Sequence, residues 1–208
     1  MTPDEIAALF TRSDDSYLFA RWGRPIAPVV FGVTDETLAV VKGATEAVAA
    51  LAGIEVAETD PELGSNLMVF FFTDWDELPE VPDLGNLVPD LVPLVGRLKE
   101  ADANQYRVFR FDEAGAIKAC FVFVRMDAHL SETPAETLAL SQMIQTVLLW
   151  SDRAFMETSS LAVLPEGGVI LNPEIANVIR AAYNPVLPAV AQDASHALRL
   201  FARMETPQ

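Results

Sequence analysis

The segment TPAETLALSQMIQTVLLW (133–150) constrains the fold more than any other part of the chain. Its spacing predicts one long helix, with Thr133 as cap and Pro134 at the first position. Leu138, Leu140, Met143, Ile144, Val147, Leu148, Leu149 and Trp150 pass nearly all round it. A helix that is apolar on most sides has to be buried on most sides. Ser141, Gln142 and Gln145 interrupt that surface, and Ser141 and Gln145 share a face. Ser151 and Asp152 follow at the helix end. Buried polar groups need partners, so the stripe must face polar groups, water or a cavity. Ser141, Gln142, Gln145, Ser151 and Asp152 are therefore the candidate ligand-binding residues.

Strands and helices are predicted on either side. Thr2-Pro3-Asp4-Glu5 has the pattern of a capping box, opening a helix to about Arg12. PVVFGV (28–33) reads as a buried strand. Residues 34–53 read as a helix capped by Thr34 and stopped by Gly53. IEVAE (54–58) suits a short strand and NLMVFFFTD (66–74) a central one. The Pro-, Asp- and Leu-rich stretch from Trp75 to Pro93 suggests a loop or short helical turns, and a helix is expected from about Pro89 to Ala101. QYRVFRFD (105–112) and IKACFVFVRM (117–126) flank a turn and predict a hairpin. The arginine face of its first strand is expected to be solvated or covered by carboxylates. VIL (169–171) reads as extended, Asn172 as the cap of a helix through about Tyr183, and 191–204 as a last helix. The expected fold is a single α+β domain spanning 1–208, with a mixed β-sheet in the first half followed by helices. Helices 2–12 and 191–204 are expected as peripheral additions.

Charge and composition narrow the function. Fourteen Lys and Arg against 30 Asp and Glu give a net charge of −16. That sign argues against binding nucleic acid or an anionic membrane surface. One cysteine allows no internal disulfide, and two histidines leave most zinc sites unbuildable. No metal or cofactor is expected. No apolar run is long enough to span a bilayer and no signal peptide is visible, so a cytoplasmic location is expected. Between Lys42 and Arg97 every charged residue is a carboxylate. That stretch reads as a solvated acidic face, with a calcium or cationic-partner site as the alternative. A Cys120–His129 nucleophile pair is conceivable, but an apolar strand would raise the thiol pKa.

Residues 141–152 resemble the H-E-x-x-H-x-x-G-x-x-H-D zinc helix of the metzincin peptidases in frame. Leu171-Asn172-Pro173-Glu174 and Ile179-Arg180-Ala181-Ala182-Tyr183 look like a segment that follows that site in many such proteins. The chain also resembles an uncharacterised bacterial family of zincin-like proteins, whose helix commonly reads E-E-x-T-Q-x-L-G-L-x-N-D. Gln145, Leu149 and Asp152 match that frame, and Arg21-Trp22 before Pro25 matches an early R-W-x-x-P signature. The resemblance implies a zincin-like architecture over roughly 17–190. The departures bear on activity. Ser141, Gln145 and Ser151 stand where zinc histidines would be, and Gln142 where the general-base glutamate would be. Ser and Gln supply neither a zinc ligand nor a base at neutral pH. The implied protein lacks the peptidase machinery and is a non-catalytic binding domain for a peptide or a small polar or cationic ligand. Two rivals are a metal-independent hydrolase using carboxylates such as Glu132, Glu136, Asp127 or Asp152, and a scaffold or dimerisation subunit using the apolar 78–95 segment.

Overall fold

The computed structural model describes residues 1–156 and 158–204. The chain opens with α1 (Pro3–Ala8) and a two-residue strand, β1 (Phe19–Ala20). A strand–helix–strand unit follows: β2 (Pro28–Phe31), α2 (Asp35–Ala52) and β3 (Leu67–Phe72). After a 3-10 turn at Trp75–Glu80 come α3 (Leu84–Leu87) and α4 (Leu91–Glu100). The hairpin of β4 (Gln105–Phe111) and β5 (Ile117–Arg125) leads into α5 (Ala128–Glu132) and α6 (Ala135–Val147). The rest comprises β6 (Leu161–Val163), β7 (Val169–Leu171), α7 (Pro173–Ala182), β8 (Val190–Ala191) and α8 (Ser195–Met204). Among the described residues no helix is long and apolar enough to cross a membrane.

The main sheet runs β2-β3-β5-β4. Its first three strands are parallel, and β4 is antiparallel to β5 at one edge. Both faces are covered, which is why β3 and β5 read as continuous apolar runs. Leu67, Val69, Cys120, Val122 and Val124 meet the cluster that holds α2 and α6. Phe70, Phe72, Phe121 and Phe123 meet Trp75, Leu84, Leu91 and Leu94 on the other side. Each such side chain contributes about 1.5–3 kcal/mol by leaving water. At the end of β2 a Cβ on Gly32 would stand 1.9 Å from the carbonyl oxygen of Phe71, at φ +79°. Only glycine allows that approach.

The long helix is buried as expected, but its ends move. Thr133 closes α5, and α6 starts at Ala135 with Pro134 as its N-cap, lacking a side-chain cap bond. Proline keeps the residue before it out of the helical region, and Thr133 is extended at ψ 130°. At the other end α6 stops at Val147 because side chains take its terminal carbonyls. Trp150 Nε1–H donates to the Ile144 carbonyl at 2.9 Å, and Trp22 Nε1–H to that of Thr146 at 2.8 Å. The Tyr183 hydroxyl donates to the Val147 carbonyl at 2.6 Å. The chain then extends: Leu148 bridges Arg21, Leu149 N–H bonds the Ala20 carbonyl, and Ser151 N–H bonds that of Leu9. Ser151 and Asp152 therefore lie in a loop strapped to the N-terminal segment.

Other boundaries differ for similar reasons. The α1 capping box forms at Thr2 and Glu5, but the helix ends at Ala8 as residues 10–18 fold back on themselves. The strand at 28–31 is half-buried at the sheet edge, with Phe31 exposed. Within 54–58 only Val56 bridges, to Ile26. The last helix begins at Ser195 because Val190 and Ala191 pair with β1. The helix at 34–53 matches its expected caps, Thr34 and a left-handed Gly53.

Replacing Trp22 by Phe keeps an apolar ring but removes the donor to the buried Thr146 carbonyl. The expected cost is about 1–3 kcal/mol of unfolding free energy, read from urea denaturation. A cost near zero would mean the cap at the end of α6 carries no stability.

Candidate functional site

A cleft of about 570 Å³ lies between β4 and the loop that follows α6. Tyr106, Arg107, Val108 and Phe109 form one wall, and Gln145 with Trp150 faces them. Arg12 and Asp14 close it from the N-terminal turn, and Ser151 and Asp152 line it from the loop. The Trp150 ring is held by stacking on Phe10, with centroids 5.3 Å apart, and edge-on contact with Phe155 at 5.0 Å. This wall is therefore a rigid aromatic one.

The β4 wall also carries main chain that does not pair with β5. Arg125 N–H donates to the Asn104 carbonyl at the mouth of the hairpin, and Asp112 N–H to that of Ala116 at its turn. In an antiparallel ladder these bonds set the phase. The main chain of Tyr106, Val108 and Arg110 faces β5, and that of Gln105, Arg107 and Phe109 faces the open edge. The side chains of Arg107 and Arg110 consequently fall on opposite faces of the sheet, so the expected arginine face does not exist. Neither guanidinium forms an ion pair among the described residues.

Arg107 turns toward α6. Its Nη2 donates to Gln142 Oε1 and, at 3.3 Å, to Gln105 Oε1. Gln142 Nε2 donates to Gln105 Oε1 at 2.7 Å, Gln105 Nε2 to Asn104 Oδ1, and Asn104 Nδ2 to Asp127 Oδ2 at 2.8 Å. The first carboxylate reached is thus two neutral amides away, through Gln105 and Asn104. Burial pulls the Arg107 pKa down to about 10, so it stays cationic at neutral pH. Its Nε is buried without a partner.

The five residues nominated from the sequence separate into two groups. Gln145, Ser151 and Asp152 line the cleft. Ser141 and Gln142 stand behind it: the Ser141 hydroxyl accepts from Gln145 Nε2 at 3.2 Å, and buried Gln142 anchors Arg107. Ser151 is itself occupied, donating to the Ala8 carbonyl and accepting from Ala154 N–H. The sequence reading missed Arg107 and Arg12. Arg107 was detectable from strand alternation, since Gln105, Arg107 and Phe109 share one face. Arg12 was not, because only the fold brings residues 10–18 to the loop after α6.

The other nominated chemistry is dispersed. Cys120 is buried and its thiol is pushed up to about 12 by desolvation, while His129 is exposed on α5. Asp127 is the N-cap of α5, with its carboxyl held low by the N–H of Leu130 and by Asn104. Glu132 and Glu136 are exposed. Hydrogen bonds from Ser13 hold Asp152 low, and those from Ser16 hold Asp14 low. In the acidic stretch Asp60 accepts from the N–H groups of Glu62 and Leu63, and from Asn66. Glu62 pairs with Arg24 and Lys118, and Asp76 with Lys99. These carboxylates hold turns and pair with basic residues. Among the described residues no group of three or more His, Cys, Asp or Glu is placed to hold a metal ion. The 78–95 segment turns Leu78, Leu84, Leu91 and Leu94 inward, leaving Leu87 and Val92 exposed.

His196 is buried against Phe19, with Nδ1 3.0 Å from the Tyr17 hydroxyl and Nε2 without a partner. Desolvation, with Arg199 adding to it, lowers its pKa to about 4. The unfolded chain takes up this proton near pH 6.5 and the folded one only near 4. Stability is therefore expected to fall as pH drops through that window. His196→Gln should flatten the fall in urea midpoint between about pH 6.5 and 4.5.

Gln142→Leu leaves the Arg107 guanidinium short of an acceptor and should cost about 2 kcal/mol. Adding Arg107→Met removes the desolvated cation too and should recover most of that loss. Additive losses in urea titrations of the two single variants and the double variant would refute this coupling. Comparisons with protein-family models, curated proteins and solved structures returned no match.

Proposed function

We propose that this protein is a non-catalytic binding domain that takes an extended peptide in the cleft between β4 and the end of α6. The observation that carries the reading is the main chain of Arg107 and Phe109, turned away from β5 along a cleft walled by Trp150, with the Phe109 carbonyl met by the neighbouring Arg110 guanidinium at 3.5 Å. An unpaired strand edge offers donors and acceptors at two-residue spacing, and an added strand satisfies them. A small polar ligand could use Gln145 and the same groups, but would leave most of this edge unpaired. The two guanidiniums in the cleft also favour a peptide over a cationic ligand.

A zincin-like architecture belongs to this reading. A mixed sheet precedes α6, and the two flanking motifs meet at its C-terminus. Trp22 bonds the Thr146 carbonyl and Tyr183 that of Val147, while the Tyr183 hydroxyl also accepts from the main chain of Trp22 at 3.2 Å. The Arg21 guanidinium lies 5.3 Å from the Tyr183 ring centroid. On α6 itself Gln142 and Gln145 are hydrogen-bonding groups without acid–base chemistry near neutral pH. A carboxylate-pair hydrolase would need one carboxyl kept protonated. The two in this cleft, Asp14 and Asp152, are both held low.

The test is selection of random nine-residue peptides on the full-length protein, followed by N-methylation of each amide of a selected peptide. Strand pairing predicts at least tenfold weaker binding for methylation at alternate amides and little change between them. Loss without that alternation, or no selection above background, would refute the reading.

A further inference from the structure

We infer that Arg107 recognises a carboxylate on the ligand, which rests on ligand entry to the same cleft but not on strand pairing. A guanidinium has five donor protons in a fixed plane. Two of the Arg107 set, on Nη2, go to the amide oxygens of Gln142 and Gln105. The Nε proton is buried and unused. Among the described residues Nη1 has no hydrogen-bond partner, and it is not shut off from solvent as Nε is, on a residue that lines the cleft. Its protons are the ones left for a ligand.

The charge points the same way. A desolvated cation is costly unless an anion compensates it. The chain carries an excess of carboxylates, with 30 Asp and Glu, yet it places neutral amides around this guanidinium. The two acidic residues that line the cleft are already engaged. Asp152 accepts from Ser13 N–H at 3.0 Å, and Asp14 accepts from the N–H and hydroxyl of Ser16. Arg12 lines the same cleft and forms no ion pair among the described residues. The compensating charge is therefore to come with the ligand. A carboxylate suits the site better than a phosphate. Asp14 and Asp152 line the same cleft and repel a dianion more strongly than a single carboxylate.

The test is calorimetric titration of full-length protein with a panel of N-acetylated amino acids, each as free acid and as amide, with inorganic phosphate alongside. The acids are expected to bind at least tenfold tighter than their amides. That preference should vanish in Arg107→Gln, persist in part in Arg107→Lys, and be unchanged in Arg110→Gln, whose side chain lies on the other face of the sheet. Melting curves establish that each variant is folded. Equal binding of acids and amides, an acid preference that survives Arg107→Gln, or stronger binding of phosphate would overturn the inference. Peptides that pair with alternating amides but show no acid preference would leave the cleft reading standing without it. Acids that depend on Arg107, with no methylation pattern, would do the reverse.

Discussion

The fold depends on how α6 ends. A helix leaves its last four carbonyls without partners, and those of a buried helix cannot turn to water. Here Trp150, Trp22 and Tyr183 each bring one donor to that end. Trp22 comes from before the sheet, Tyr183 from the end of α7 and Trp150 from just past α6, so one helix terminus gathers two distant parts of the chain. The forced exit at Val147 sends residues 148–152 along the N-terminal segment, and that path makes one wall of the cleft. The other wall follows from topology. Parallel β2, β3 and β5 need cover on both faces, whereas antiparallel β4 returns at the margin and keeps one edge open.

Much of this fold was legible in local pattern. Thr34 and Gly53 bound α2 because caps are decided by neighbours within a turn. The apolar run at 66–74 is expected as a central strand and 117–126 as half of a hairpin, and both pair as β3 and β5, with β4 joined to β5 by the turn. What failed was set by distant parts of the chain. Leu148, Leu149 and Trp150 continue the apolar pattern of α6, but a cap from Trp22 and pairing with Ala20 and Arg21 pull them out of it. Periodicity cannot anticipate a partner more than a hundred residues away.

The site was legible in the same partial way. An amide stripe on an apolar helix announces buried polar partners, and Gln142 has them in Arg107 and Gln105. Which members reach the cleft depends on the strand laid across the helix. Gln145 looks outward, while Gln142 faces β4 and is buried. From sequence Arg107 belongs to an arginine face expected to be solvated or covered by carboxylates, although alternation separates it from Arg110. Its location beneath the sheet edge, rather than at it, became visible only with the sheet order.

The polar groups of α6 thus have a role that the resemblance to zinc helices did not suggest. Gln142 is a poor zinc ligand and no base, but its amide oxygen fixes a guanidinium while its nitrogen fixes Gln105. A glutamate at this position would place a carboxylate on the Arg107 guanidinium and neutralise it. Glutamine holds the same geometry and leaves the positive charge uncompensated. Within a chain of net charge −16, Arg107 thus rests on neutral amides and forms no ion pair among the described residues.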